Sequence, residues 1–213
     1  MTSFARQIKN ELVRQLLSKQ CCAAAELRAF LQISGKLSLS SKLTKIILHT
    51  QSASVARRVF SLFKLCFRIS PEILSCSPKQ FQKNGTYILQ VTGKNEVFKI
   101  LQELGFMKIH PHNNKPVLVP HFNQPTVIHE LKNKCCRRAF LRGAFLAGGS
   151  LSDPKTGYHL EIVAPSEPYA KAIKNVMASF RLQASYFKRK NDFVIYLKDG
   201  EGIGEWGGGI AKN

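Results

Sequence analysis

Six cysteines are the side chains of this sequence best suited to chemistry of their own, and four of them form adjacent pairs, Cys21-Cys22 and Cys135-Cys136; Cys66 and Cys76 complete the set. Thiolates ligate soft metals, exchange disulfides and attack electrophiles. Neighbouring cysteines seldom bond to each other, because a disulfide needs separations and side-chain directions that adjacent residues rarely reach. No Cys-x-x-Cys occurs, so zinc-ligand spacing is absent and neither a metal nor a cofactor is expected. No apolar signal stretch precedes these residues, so six reduced thiols in a cytoplasm are the expected state. The pairs then read as small core residues rather than redox sensors. His110 and His112, with His121 nearby, lie among prolines and read as solvated loop residues rather than a metal site. Gly148-Gly149-Ser150 lacks the Gly-Lys-Ser/Thr of a phosphate loop and reads as a helix end.

The second chemical signal is charge. Among 213 residues, 32 Lys+Arg face 13 Asp+Glu, a formal net charge of +19. Both halves are basic, so the excess is not a detachable tail. A folded body with this bias repels itself unless it meets a polyanion, and nucleic acid is the commonest one. Hydrophobic residues make up 44%, a composition that builds a core. No run approaches the ~18 apolar residues that cross a bilayer, so a membrane partner is not expected.

The elements that position these residues are written twice. At an offset of 114 residues, Cys21 to Ser38 lies over Cys135 to Ser152 without a gap, with identities at Cys21/Cys135, Cys22/Cys136, Ala25/Ala139, Leu27/Leu141, Arg28/Arg142, Gly35/Gly149, Leu37/Leu151 and Ser38/Ser152. The chain reads as a tandem duplication. Each copy begins with a helix, Ala23–Ser34 or Arg137–Ala147, stopped by a glycine. Two strands follow, Lys36–Leu39 with Thr44–His49, and Ser150–Ser152 with Tyr158–Val163. A second helix, Ser54–Cys66 or Pro168–Phe180, carries apolar residues at helical spacing. Two further strands close each unit, Glu72–Phe81 with Thr86–Val91 and Gln183–Lys188 with Phe193–Lys198, turning at Asn84-Gly85 and Asn191-Asp192. The fold class is therefore α+β, two tandem αββαββ repeats. The first copy adds a helix, Asn95–Leu104. Phe4, Ile8, Leu12 and Leu16 predict an amphipathic N-terminal helix behind a Ser3 cap. The expected organisation is 1–110 for the first repeat, a proline-containing linker at 111–126, the second repeat at 127–201, and a disordered or truncated tail at 202–213, where Gly207, Gly208 and Gly209 oppose a helix.

The run LRGAFLAGGS (Leu141–Ser150) resembles the signature helix of the LAGLIDADG homing-endonuclease family, in which two αββαββ units pack their signature helices at a pseudo-two-fold axis and set two four-stranded sheets over duplex DNA. Gly143 and Ala147 would supply a small-residue ridge, answered by Ala29. The fuller pattern, paired cysteines, LRGAFLAGGS, Asp153-Pro154 and YHLEIV, resembles the WhiA family of bacterial regulators over Met1 to about Trp206. That resemblance implies a catalytically degenerate LAGLIDADG pair joined to a C-terminal helix-turn-helix, which is missing here. It also implies roles in transcription regulation, sporulation and cell division or chromosome segregation, with a cytoplasmic, nucleoid-associated location.

An active nuclease of this fold places one acid from each signature helix over metal and phosphate. The equivalent positions hold Ser34 and Gly148, neither of which ligates Mg²⁺ as a carboxylate, so no catalytic residue and no enzyme activity are expected. Asp153 and Glu161 have no first-copy counterparts. Candidate nucleic-acid contacts are Lys36, Lys42 and Lys45 at the first sheet, Lys79 and Lys83 at its hairpin, and Lys188, Arg189 and Lys190 at the matching hairpin of the second copy. The expected partner is double-stranded DNA, held through phosphates. The alternative is a protein-interaction module that docks another regulatory protein while a missing helix-turn-helix binds DNA.

Overall fold

The computed structural model describes residues 4–16, 19–40, 43–76, 85–109, 116–118, 131, 133–152, 157 and 159–198. Its elements run α1 (Phe4–Leu12), α2 (Gln20–Ser34), β1 (Gly35–Leu39), β2 (Thr44–Thr50), α3 (Ala53–Phe67), β3 (Glu72–Cys76), β4 (Thr86–Thr92), α4 (Lys94–Glu103), β5 (Met107–Ile109) and β6 (Pro116–Leu118). The second unit follows as α5 (Lys134–Gly148), β7 (Gly149–Leu151), β8 (Leu160–Ala164), α6 (Glu167–Ala178), β9 (Ser185–Arg189) and β10 (Asp192–Leu197). The two four-stranded antiparallel sheets have the same order, β1-β2-β4-β3 and β7-β8-β10-β9. The duplicated αββαββ plan is therefore present.

The centre of the molecule is the α2–α5 pair, whose mutual contact is the most extensive among the described elements. Leu27, Ala29 and Leu31 of α2 and Leu141, Ala144 and Phe145 of α5 are all buried. Gly143 is where the backbones come closest. A Cβ there would strike the Glu26 carbonyl oxygen and sit 3.0 Å from the Ala29 Cβ. The small-residue ridge thus has a steric reason.

Both central helices pass into a strand without a loop, and here the structure corrects the expected stop. Gly35 (φ −78°, ψ 140°) and Gly149 (φ −86°, ψ 151°) are extended, not left-handed. Their N–H groups donate to the Leu31 and Phe145 carbonyls, and a side chain would collide with those same residues. Glycine is needed for close approach rather than for a positive φ.

Strand alternation divides each sheet into two faces. Ile46, Leu48, Leu89 and Val91 turn inward in the first sheet, as do Leu160, Ile162, Ile195 and Leu197 in the second. Helices α3 and α6 close the core behind them, α3 starting where the Ser52 side chain accepts from the Val55 N–H at 3.4 Å.

Other boundaries also differ from expectation. The central helices start earlier, at Gln20 and Lys134, so both cysteine pairs lie inside a helical first turn. Helix α1 ends at Leu12, and Leu16 is 78% exposed rather than continuing the apolar stripe. The Arg58 guanidinium donates to the carbonyls of Val13 and Gln15, which pulls the chain out of the helix there. The second hairpin turns at Lys190-Asn191, not Asn191-Asp192, with Lys190 at φ 58°. Within the stretch read as linker, β6 pairs antiparallel with β5. Ser3, Asn84, Asp153, the three linker histidines and 199–213 lie outside the described residues.

Candidate nucleic-acid interface

The outer faces of the two sheets carry different chemistry. On the first, register places Lys36 opposite Ile47 and Lys45 opposite Ser38, so both lysines share the outer face of the β1–β2 pair. His49 follows on β2 and is exposed. The one carboxylate of that face in β3, Glu72, accepts from Gln90 Nε2 at 2.6 Å. The first outer face is thus open and basic at its β1–β2 side.

On the second sheet the outward residues include Ser150, Glu161, Ser185, Phe187, Arg189, Asp192 and Tyr196, with Asp192 directly opposite Arg189. Glu161 is engaged twice, by Arg189 Nη1 at 3.2 Å and by His159 Nε2 at 2.9 Å. His159 stacks on Tyr196 with ring centroids 6.2 Å apart, and Phe187 meets the same ring edge-on at 5.6 Å. This face is aromatic and nearly charge-balanced.

The expected basic cluster of the second hairpin is therefore divided. Lys188 and Arg189 are consecutive in a strand and point to opposite faces. Tyr186, on the Lys188 side, hydrogen-bonds Glu167 of α6 at 3.1 Å, which marks that side as the helix-facing one. Lys190 sits in the turn. Only Arg189 shares the outer face. Lys42, Lys79 and Lys83 lie outside the described residues.

Ser34 and Gly148, the positions expected to correspond to the acids of an active nuclease, sit at the ends of α2 and α5. Ser34 Oγ donates back to the Phe30 carbonyl at 3.0 Å. Gly148 has no space for a side chain, since a Cβ would lie 2.9 Å from both Ile33 Cγ2 and the Val163 carbonyl oxygen. Beside this end, Lys9 of α1 lies 5.6 Å from the Phe145 ring centre and lines a cleft with His49, Thr86, Leu146 and Ala147. Burial pushes the Lys9 ammonium down to about 8. Lys9 gave no signal in the sequence, standing among other charged residues of an amphipathic helix.

A buried ion cluster also escaped the sequence reading. Glu26 is fully buried in α2 and is bound by Arg58 of α3 through two contacts, Nε at 2.8 Å and Nη2 at 2.9 Å. Arg142 of α5 reaches the same carboxylate at 2.9 Å. The cysteine pairs, expected as small core residues, meet where α2 and α5 begin: the Sγ atoms of Cys21, Cys22 and Cys136 all lie within 4.8 Å of one another, with Cys136 buried and Cys21 exposed. The repeat offset carried that signal, because equivalent positions on two helices packed about a dyad approach each other.

Two αββαββ units joined by a tightly packed helix pair, with a four-stranded sheet on each, define a LAGLIDADG-fold protein. Solved structures agree: full-length DUF199/WhiA from Thermatoga maritima superimposes with a TM-score of 0.71 at 21% identity, covering 100% of this chain and 63% of that one. I-DmoI in complex with DNA and Mn gives 0.63 at 14% identity over 92% of this chain and 99% of that one. Family profiles for the WhiA N-terminal LAGLIDADG-like domain and the WhiA LAGLIDADG-like domain match residues 20–107 and 137–206. A protein of Natranaerobius thermophilus named probable cell division protein WhiA is 38% identical over 204 residues, 96% of this chain and 60% of that relative. The chain belongs to the WhiA family, and it spans about 60% of the length of that relative.

Proposed function

We propose that this chain is a DNA-binding regulatory protein, acting in transcription regulation linked to cell division, chromosome segregation and sporulation, on a homing-endonuclease scaffold that does not cut. The observation that carries the reading is the basic outer face at Lys36 and Lys45 on a chain of net charge +19. Lysines on a sheet face meet phosphate oxygens as point charges, giving affinity without sequence information. I-DmoI, a neighbour of the same fold, was solved in complex with DNA and Mn, which is in keeping with this reading.

Loss of cleavage follows from the acid positions. A hard divalent cation at a phosphate needs oxygen ligands held at fixed distance. Ser34 spends its hydroxyl on its own helix, and Gly148 has no room for a carboxylate. Supercoiled plasmid incubated with the protein and Mg²⁺ or Mn²⁺ is expected to stay intact on a gel; metal-dependent nicking would refute this. Gel mobility shifts of a duplex at two salt concentrations test binding, with complex at low salt and its loss at high salt as the expected result. No complex at low salt would exclude the DNA-binding reading.

A second reading, docking of another regulatory protein, is favoured by the second outer face alone. There Phe187 is 45% exposed against Tyr196, while Arg189 is engaged by Glu161. An exposed aromatic beside a neutralised ion pair suits a protein surface better than a phosphate backbone.

A further inference from the structure

Helices α2 and α5 cross so that their first turns bring four thiols together at one end of the pair. Cys21, Cys22 and Cys136 hold their sulfurs mutually within 4.8 Å, and Cys135 is in hydrogen-bonding reach of Cys22. We propose that Cys21, Cys22 and Cys136, with Cys135 as a fourth donor, form a binding site for a thiophilic closed-shell cation, Zn²⁺ or Cu⁺.

Distance supports it first. Zinc sits about 2.3 Å from each thiolate, which sets tetrahedral sulfurs about 3.8 Å apart. The cluster needs to contract by no more than about 1 Å, within the reach of side-chain rotation. Electrostatics supports it next. Neither helix has an acidic residue in its first turn, so the positive ends of both macrodipoles favour the thiolate form of these sulfurs.

Access and enclosure are graded in the same direction. Cys21 is exposed and Cys136 is buried, so a cation can enter from solvent and end against the core. Ligation replaces each proton by a metal–sulfur bond and releases it to solvent, with no change of oxidation state. A Cys-x-x-Cys search fails here because the ligands come as adjacent residues from two helices far apart in sequence.

The test uses the whole chain, fully reduced, titrated anaerobically with Co²⁺ as an optical probe. The expected result is a thiolate-to-cobalt charge-transfer band that saturates at one ion per chain. Zn²⁺ then bleaches the band if it is the tighter ligand, and Cu⁺ delivered from a competing chelator does so if copper is. The double variant Cys21→Ser with Cys22→Ser weakens binding more than tenfold, while Cys76→Ser leaves it unchanged. Circular dichroism melts of the variants verify folding, and Cys21→Ser, at an exposed position, gives a second and milder variant. Absence of the band with six thiols reduced would overturn the proposal. So would unchanged affinity in the double variant, or a Cys21–Cys136 disulfide in place of bound metal in the isolated protein.

Discussion

Glu26 ties three helices together, because arginines of α3 and α5 converge on its carboxylate in α2. Arg58 uses four donor contacts, two to Glu26 and two to the carbonyls of Val13 and Gln15, while Arg142 adds a guanidinium that is 2% exposed. Desolvating such a triad is costly, so its net worth against an apolar packing is small, but removing one member leaves buried charge unanswered. Glu26→Ala is expected to lose about 3–5 kcal/mol in urea denaturation. A loss under 1 kcal/mol would mean that water or their other contacts satisfy the arginines without Glu26. Cys66 gives a second residue-scale outcome. Burial pushes its thiol up to about 12, with Glu103 and Glu26 adding to the shift. The unfolded thiol ionises near 8.5, so the stability it contributes is complete below that pH and is lost as pH rises toward 12. The slope from this group is at most about 1.4 kcal/mol per pH unit. Cys66→Ala, compared with the parent by urea midpoints at several alkaline pH values under reductant, is expected to flatten the decline. Neither residue was legible as functional in the sequence. At the repeat offset Phe140 stands opposite Glu26 and Ala172 opposite Arg58, so the ion cluster breaks the duplication that guided the reading.

At the scale of elements, the duplication was readable because period and offset are local signals. Identical residues at matched positions fixed both central helices, and alternation fixed the strands to within a few residues. What local signals could not fix was the partner of each element. The glycines ending α2 and α5 look like left-handed stops, yet the backbone there is extended because the helix feeds directly into β1 or β7. The basic run at the second hairpin looked like one patch, although a period of two already separates Lys188 from Arg189. Gly143 is the test of the helix pair. Alanine would favour the helix by about 1 kcal/mol on propensity alone. Its methyl would instead meet the Glu26 backbone and the Ala29 Cβ, and backbone does not move cheaply. Gly143→Ala is therefore expected to destabilise by about 1–3 kcal/mol in denaturant titrations. A stabilised variant would show that α2 and α5 can separate without penalty.

The whole molecule presents two outer faces of unlike character under one net charge, and this asymmetry decides which residues govern DNA affinity. Each phosphate contact releases counterions, so log K falls with log salt at about −0.9 per contact. On the first sheet, Lys36 and Lys45 share the outer face with no carboxylate contact among the described residues. On the second, Arg189 is tied to Glu161, and its exchange of that partner for a phosphate yields less. Lys188 faces the helix layer. Replacing Lys36 and Lys45 together with Ala is expected to lower duplex affinity alike for unrelated sequences and to flatten the salt slope by up to roughly 2. Lys188→Ala is expected to leave both nearly unchanged, and Arg189→Ala to fall between. Fluorescence anisotropy with a labelled duplex over a salt series measures all three. If Lys188→Ala changed the slope as much as the double variant did, the duplex would have to run along the hairpin edge, and the first outer face would lose its claim to the contact.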